Sequence, residues 1–360
     1  MDQYTLGWSS EWDHYLNTCS LEAIVRITAR HKNQYRALTA NGQQLNCHLS
    51  GKLLHQSMLD SDLPAVGDWC VVGELHADAS NERAATIHQV LPRRSKLSRK
   101  MAGATSDEQV LAANIDYVFV VTSVNHDFNI NRLQRYVLLA TYGRTKPLIV
   151  LSKIDVLNSP VTPYVDQLSC AFPGVPCIVT SSVSLSGLDD IRQLLAAGKT
   201  AVFVGSSGVG KSTLVNALLG GGVQKTAALR ENIEKGRHTT SSSGLFFTPA
   251  GGMIIDTPGL REVQVLADDQ GLAAAYPTVG ELALDCKFRD CSHAAEPGCA
   301  VLSAAADGEL PASDFAAYTK LVRETAYNNR KVDQRLYNEE RRRWKRITID
   351  YRRRKNSEGR

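Results

Sequence analysis

The stretch Gly205-Ser206-Ser207-Gly208-Val209-Gly210-Lys211-Ser212 constrains this chain more than any other. It lies between an apolar run, Ala201–Val204, and a helix-compatible run, Ser212–Leu219. A strand, a turn of the form G-x-x-x-x-G-K-[ST] and a helix, in that order, make a phosphate-binding loop. Its glycines let backbone N–H groups curl inward where side chains would block them. The helix N-terminus adds its dipole. In such a loop Lys211 reaches the terminal phosphates, the Ser212 hydroxyl ligates Mg²⁺, and Thr213 follows at the helix start. A glycine-rich turn that matches by accident is the alternative, and the flanking strand and helix argue against it.

The surrounding pattern extends that unit into a sheet. Apolar runs Tyr117–Thr122, Pro147–Leu151, Val175–Val179 and Ala201–Val204 alternate with helical stretches Asn131–Ala140, Tyr164–Ala171 and Leu188–Ala196. Such alternation predicts a parallel sheet with covered faces. Upstream, Leu21–Ala29, Gln34–Thr39, Gln43–Leu49, Asp68–Glu74 and Ala84–Val90 are short β-branched runs broken by Asn41-Gly42, Ser50-Gly51 and Pro64–Gly67. Five strands at this spacing suggest an oligonucleotide-binding (OB) type β-barrel, with any other small β-module as the alternative. Leu91–Gln109 is polar and basic without a sustained period, and reads as a linker. The expected fold is multi-domain α/β: a barrel over residues 1–95, a linker over 96–112, a P-loop domain over 113–275, and a helical metal-bearing region with a basic tail over 276–360.

Two stretches choose the base. Ser152-Lys153-Ile154-Asp155, after the run Pro147–Leu151, is close to the N-K-x-D element that selects guanine. A carboxylate such as Asp155 accepts two hydrogen bonds from N1–H and the exocyclic amine of guanine, and adenine has no such donor pair. Lys153 lays its methylene stem along the base, and Ser181-Ser182 are placed to receive the guanine oxygen on a backbone N–H. Serine is shorter than the usual asparagine, so Ser152 is expected not to bridge base and phosphate loop in the same way, with modest nucleotide affinity. A solvated loop is the alternative for this stretch taken alone.

The hydrolytic centre is expected at Asp256-Thr257-Pro258-Gly259, with Asp256 on the magnesium shell and the Gly259 N–H on the γ-phosphate. Where Ras-like enzymes carry a water-orienting glutamine, this chain has Leu260. The polar stretch from Glu234 onward contains Thr239 or Thr240 to close on Mg²⁺ and His238 to supply the missing water contact, against the alternative of an ordinary loop histidine.

Three of the eight cysteines, Cys286, Cys291 and Cys299, fall within fourteen residues and bracket His293. Three thiolates and an imidazole make a closed tetrahedral set suited to structural Zn²⁺. With no basic-then-apolar segment at the start, that clustering reads as metal binding in a reducing cytosol. From Lys320 to the end there are fifteen Lys/Arg against six Asp/Glu, so a chain of net charge +4 has a basic tail on a mildly acidic body. Trp344 and Tyr351 interleave with the arginines, as RNA phosphates and unpaired bases favour. Arg93, Arg94, Lys96, Arg99 and Lys100 suggest a second basic patch beside the barrel.

The guanine elements precede the phosphate loop, the reverse of the usual order. With this order, a barrel carrying Val66-Gly67-Asp68-Trp69, the Gly236–Thr240 stretch and the cysteine cluster, the chain resembles the circularly permuted ribosome-biogenesis GTPases, and among them the ribosome-small-subunit-dependent GTPase A family. The resemblance covers nearly the whole chain. It implies GTP hydrolysed to GDP and stimulated by the small ribosomal subunit, action late in subunit maturation with release after hydrolysis, and rRNA as partner. It also implies His238 as the hydrolytic residue, zinc at the four positions above, a cytoplasmic monomer and no membrane. The alternatives are an RNA-binding module with a catalytically weak P-loop domain and a P-loop ATPase acting on nucleic acid.

Overall fold

The computed structural model describes residues 3–16, 23–31, 34–57, 59–73, 75–77, 83–100, 108–124, 128–220, 243–256, 272, 275–312 and 314–323. A short helix, α1 (Asp13–Leu16), precedes a barrel of strands β1 (Ile24–His31), β2 (Gln34–Thr39), β3 (Gln44–Leu49), β4 (Trp69–Val72) and β6 (Arg83–Val90), with a two-residue β5 (His76–Ala77) against β6. β1, β2 and β3 form an antiparallel meander, β3 pairs parallel with β6, and β6 returns through β4 to β1, closing the ring. Alternation supplies the core. Val25 and Ile27, Tyr35 and Ala37, Leu45 and Cys47, Cys70 and Val72, Ala85 and Ile87 each stand two apart and pack together. A helix, α2 (Gly51–Gln56), follows β3, and the Ser50 hydroxyl accepts the Leu53 N–H at its start.

The Val66–Trp69 motif builds the junction between the barrel and the strands that succeed it in the chain. Gly67 has φ +94°, and a Cβ there would lie 2.1 Å from the Ala113 carbonyl oxygen, so only glycine allows the approach. Asp68 is fully buried and takes the Arg93 guanidinium at 2.7 Å. Trp69 stacks edge-on to Trp8 at 4.9 Å, in a cluster that includes Trp12.

The expected linker contains structure. Strands β7 (Lys96–Lys100) and β8 (Glu108–Ala113) pair as an antiparallel ribbon, and Lys96 bonds Glu108 at 2.7 Å across it. β7 carries a single apolar residue, Leu97, so composition alone reads as loop there, although β8 ends in the buried run Val110–Ala113.

The α/β region comprises β9 (Tyr117–Ser123), α3 (Ile130–Tyr142), β10 (Lys146–Ser152), α4 (Thr162–Ala171), β11 (Cys177–Val179), α5 (Leu188–Leu194), β12 (Thr200–Val204), α6 (Lys211–Leu218), β13 (Gly244–Phe247) and β14 (Met253–Asp256). Sheet order is β11-β10-β9-β12-β14-β13, parallel except for β13. Separate apolar clusters cover the two faces, one around Val118, Val120, Ile149 and Leu139, the other around Phe119, Val150, Ile191 and Leu214. β13 is an addition to the expected set, and it meets the barrel at Ala29 of β1 through Gly244.

The C-terminal region holds α7 (Pro277–Ala283), α8 (Ala300–Asp307) and a helical run over 314–323. Val279, Val301, Ala304, Leu310 and Leu321 form its core together with Leu138 of α3, so it is packed onto the α/β region. Among the other cysteines, Cys47 and Cys70 are buried and Cys170 is exposed.

Candidate nucleotide and metal sites

Parallel strands bring their carboxyl ends to one edge, where ligands of open α/β sheets bind. Ser152 ends β10, Thr180 follows β11, Gly205 follows β12 and Asp256 ends β14, so residues far apart in sequence share that edge. Gly205 has φ +143°, and a Cβ there would fall 2.2 Å from the Val121 carbonyl oxygen, which keeps the turn tight against β9. Val209, Leu214 and Leu218 are buried and anchor the loop and α6, while Ser207, Gly208, Ser212 and Thr213 face outward.

Lys211 Nζ donates to the Gly205 carbonyl at 2.7 Å and also to that of Ser206. Asp256 stands near the Lys211 charge: desolvation by the surrounding chain raises its pKa, and Lys211 opposes the rise. Ser182 is half-buried beside the buried Ser181. The Ser181 hydroxyl donates to the Asp155 carboxylate and receives the N–H groups of Val183 and Ser184 at 3.2 Å, fixing the carboxylate against the neighbouring loop.

Ser152 reaches the phosphate loop despite its length. Its buried hydroxyl is 2.6 Å from the Val209 carbonyl of the phosphate loop and 2.9 Å from the Thr122 carbonyl of β9. The shorter side chain reaches because β10 and β9 run in register, Ser152 opposite Ser123, beside the loop. Lys153, in a left-handed conformation (φ 61°), adds a bond from Nζ to the Gly208 carbonyl at 2.6 Å. The guanine-side loop is therefore tied to the phosphate loop at two successive residues. One contact had no sequence signal beyond a helix cap: the Asn129 side chain accepts the Arg132 N–H, and the Arg132 guanidinium donates to the Ser206 hydroxyl. His238, Thr239, Thr240 and Gly259 lie outside the described residues.

In the C-terminal region, Cys286, Cys291, His293 and Cys299 bring one ligand atom each to within 4.8 Å of one another. Cys286 Sγ is 3.9 Å from Cys299 Sγ, and His293 Nδ1 is 3.4 Å from Cys299 Sγ and 3.6 Å from Cys286 Sγ. Bonds of about 2.3 Å to sulfur in a tetrahedron put sulfurs about 3.8 Å apart, so the donor set fits zinc. The Leu302 N–H at the start of α8 donates to Cys299 Sγ at 3.4 Å, which holds this sulfur at the helix start.

The second basic patch is partly occupied by the fold. Arg93 bonds Asp68 and the carbonyls of Ser61 and Leu63. Lys96 pairs with Glu108, and the Arg99 Nε donates to Gln109 at 3.1 Å. Arg94 lies 5.3 Å from the Trp12 ring centroid. Arg93, Arg94, Lys96 and Arg144 still line a cavity of about 490 Å³ between barrel, ribbon and α3. The tail beyond residue 323 is outside the described residues.

A phosphate loop whose guanine-side strands come earlier in the chain yet stand beside it in the sheet is the mark of a circularly permuted GTPase. The chain belongs to the RsgA GTPase family, whose model matches residues 90–266. A relative from Opitutus terrae, "Small ribosomal subunit biogenesis GTPase RsgA", is 39% identical across 99% of this chain and 98% of its own length. One of the same name from Methanosarcina acetivorans is 38% identical across 96% and 91%. Among solved structures, YjeQ from Thermotoga maritima is similar with a TM-score of 0.62 at 25% identity, covering 84% of this chain and 98% of its own. YloQ, described as a circularly permuted GTPase, gives 0.58 at 25% identity, covering 84% and 94%.

Proposed function

We propose that this chain hydrolyses GTP to GDP on the small ribosomal subunit late in its maturation, and that hydrolysis times its release. The single observation that carries the nucleotide assignment is the direct tie from Ser152 and Lys153 to Val209 and Gly208, which fastens a guanine-selecting carboxylate to a phosphate loop. Asp155 and the Ser181-Ser182 backbone read the base. Backbone N–H groups from Gly205 to Thr213 surround the phosphates, with Lys211 neutralising their charge. Magnesium, held by Ser212 and Asp256 with Thr239 or Thr240, supplies the charge stabilisation that phosphoryl transfer requires. The Gly259 N–H senses the γ-phosphate, and His238 orients the attacking water where Leu260 has no group to do so.

Zinc at Cys286, Cys291, His293 and Cys299 is structural, because four protein donors leave no open position. The barrel, the cavity beside it and the arginine-rich tail face rRNA. Among the described residues no helix is long and apolar enough to cross a membrane. The proposal places a monomer in the cytoplasm, organised as barrel, P-loop domain and zinc-bearing region.

Phosphate release from GTP, measured with and without small ribosomal subunits, tests this reading. The expected result is marked stimulation by the subunits, abolished by His238→Ala with GTP binding intact. Equal rates with and without subunits, or an unaffected variant, overturn it.

A further inference from the structure

We propose that Arg132 is a further residue of the nucleotide site, one that reads the charge distinguishing a nucleoside triphosphate from a diphosphate. The inference rests on the phosphate-loop reading and goes beyond it, since Arg132 lies outside every element of the loop motif. Its place is set by the helix that carries it. Asn129 caps α3 by accepting the Arg132 N–H at 3.0 Å, and Leu133, Tyr136 and Val137 are buried beneath. The first turn is therefore fixed, and the guanidinium reaches across to donate Nη1–H to the Ser206 hydroxyl.

Ser206 identifies which end of the loop this is. The guanine-side tethers grip Gly208 and Val209, whereas Lys211 Nζ, the group that serves the terminal phosphates in such loops, sits on the carbonyls of Gly205 and Ser206. Two cations thus converge on one neutral residue, Lys211 on its carbonyl and Arg132 on its hydroxyl. An anion entering between them is attracted to both, and the additional negative charge of a triphosphate is attracted most. The planar guanidinium fork suits phosphate oxygens, while a lysine there offers only a point charge. A simple staple between α3 and the loop would support diphosphate and triphosphate alike.

The test uses the full chain and measures affinities for GDP and for a non-hydrolysable GTP analogue. Arg132→Ala is expected to reduce analogue affinity about tenfold or more relative to GDP, the scale of a hydrogen bond to a charged group. Arg132→Lys is expected to recover part of that preference. Ser206→Ala, which cuts the staple but keeps the charge, is expected to leave the ratio closer to wild type than Arg132→Ala does. Retained GDP binding shows in the same titration that each variant is folded. Equal losses for both nucleotides, no loss, or the reverse order of the two alanine variants overturn the assignment alone. A wild-type chain that binds neither nucleotide overturns the phosphate-loop reading and this assignment with it.

Discussion

Replacing Arg26 with methionine isolates how the barrel is fastened to the nucleotide-binding sheet. Arg26 lies on β1 and is 1% exposed. Its guanidinium donates to the carbonyls of Leu6, Gly67 and Asn114, to the Thr200 hydroxyl at 2.9 Å and to the Met253 sulfur at 3.2 Å. Thr200 begins β12 and Met253 begins β14, so one side chain joins the barrel to the strands leading to the phosphate loop and to Asp256. Among the described residues no carboxylate lies within ion-pair distance. Burial is the main reason its pKa falls to about 10, helped by the nearby Arg94 charge and opposed by Asp116 and Asp68, and it stays charged at neutral pH.

Methionine keeps the apolar stem and relieves the burial of charge, but leaves the Leu6 and Asn114 carbonyls without their donor, while the Gly67 carbonyl keeps the Asn114 side-chain amide. Each orphaned buried acceptor costs about 1–3 kcal/mol. Relief of the desolvation penalty offsets several kcal/mol. The net is a loss of about 1–2 kcal/mol, which lowers the melting temperature by roughly 1–4 °C in a chain of this size. Scanning calorimetry on the full chain reads the shift, and Arg26→Lys should fall between the two. A methionine variant as stable as wild type, or more stable, would show that the carbonyls find other partners and would refute the reasoning.

Ser152→Ala removes the donor shared by Val209 and Thr122 and is expected to destabilise the nucleotide-free chain by about 1–3 kcal/mol in urea titration; an unchanged midpoint counts against the tether. Gly205→Ala forces a Cβ toward the Val121 carbonyl at positive φ, with strain of about 1–3 kcal/mol, and should lose nucleotide binding in a fluorescent-nucleotide titration. Elemental analysis should find one zinc per chain. Its removal by chelation, or Cys299→Ser, should open 275–323 to trypsin while GDP binding persists; a metal-free chain with full protease resistance refutes the zinc reading.

The strands were legible because the barrel alternates with period two and the parallel strands are continuous apolar runs, two signals that composition does not confuse. The site edge was legible for the same reason: Ser152, Gly205 and Asp256 follow apolar runs, and parallel strands align their ends. What sequence hid depends on reach and pairing. The tie from Ser152 to Val209 was hidden because the register of β10 against β9 is not written in its neighbours. Arg93 and Lys96 looked free, but their partners Asp68 and Glu108 become neighbours only when the barrel motif and the ribbon fold. Arg132 carries no motif, and only the α3 cap aims it at Ser206.

The contact between Ala29 and Gly244 bears on solubility. β13 is the last strand of the nucleotide-binding sheet, and without a neighbour its backbone amides and carbonyls would be a template for another chain. β1 of the barrel pairs with that flank at its Gly244 end, so the sheet runs on into a closed ring. Deleting the barrel to obtain a smaller enzyme would strip this cover, and the shortened chain should self-associate through β13.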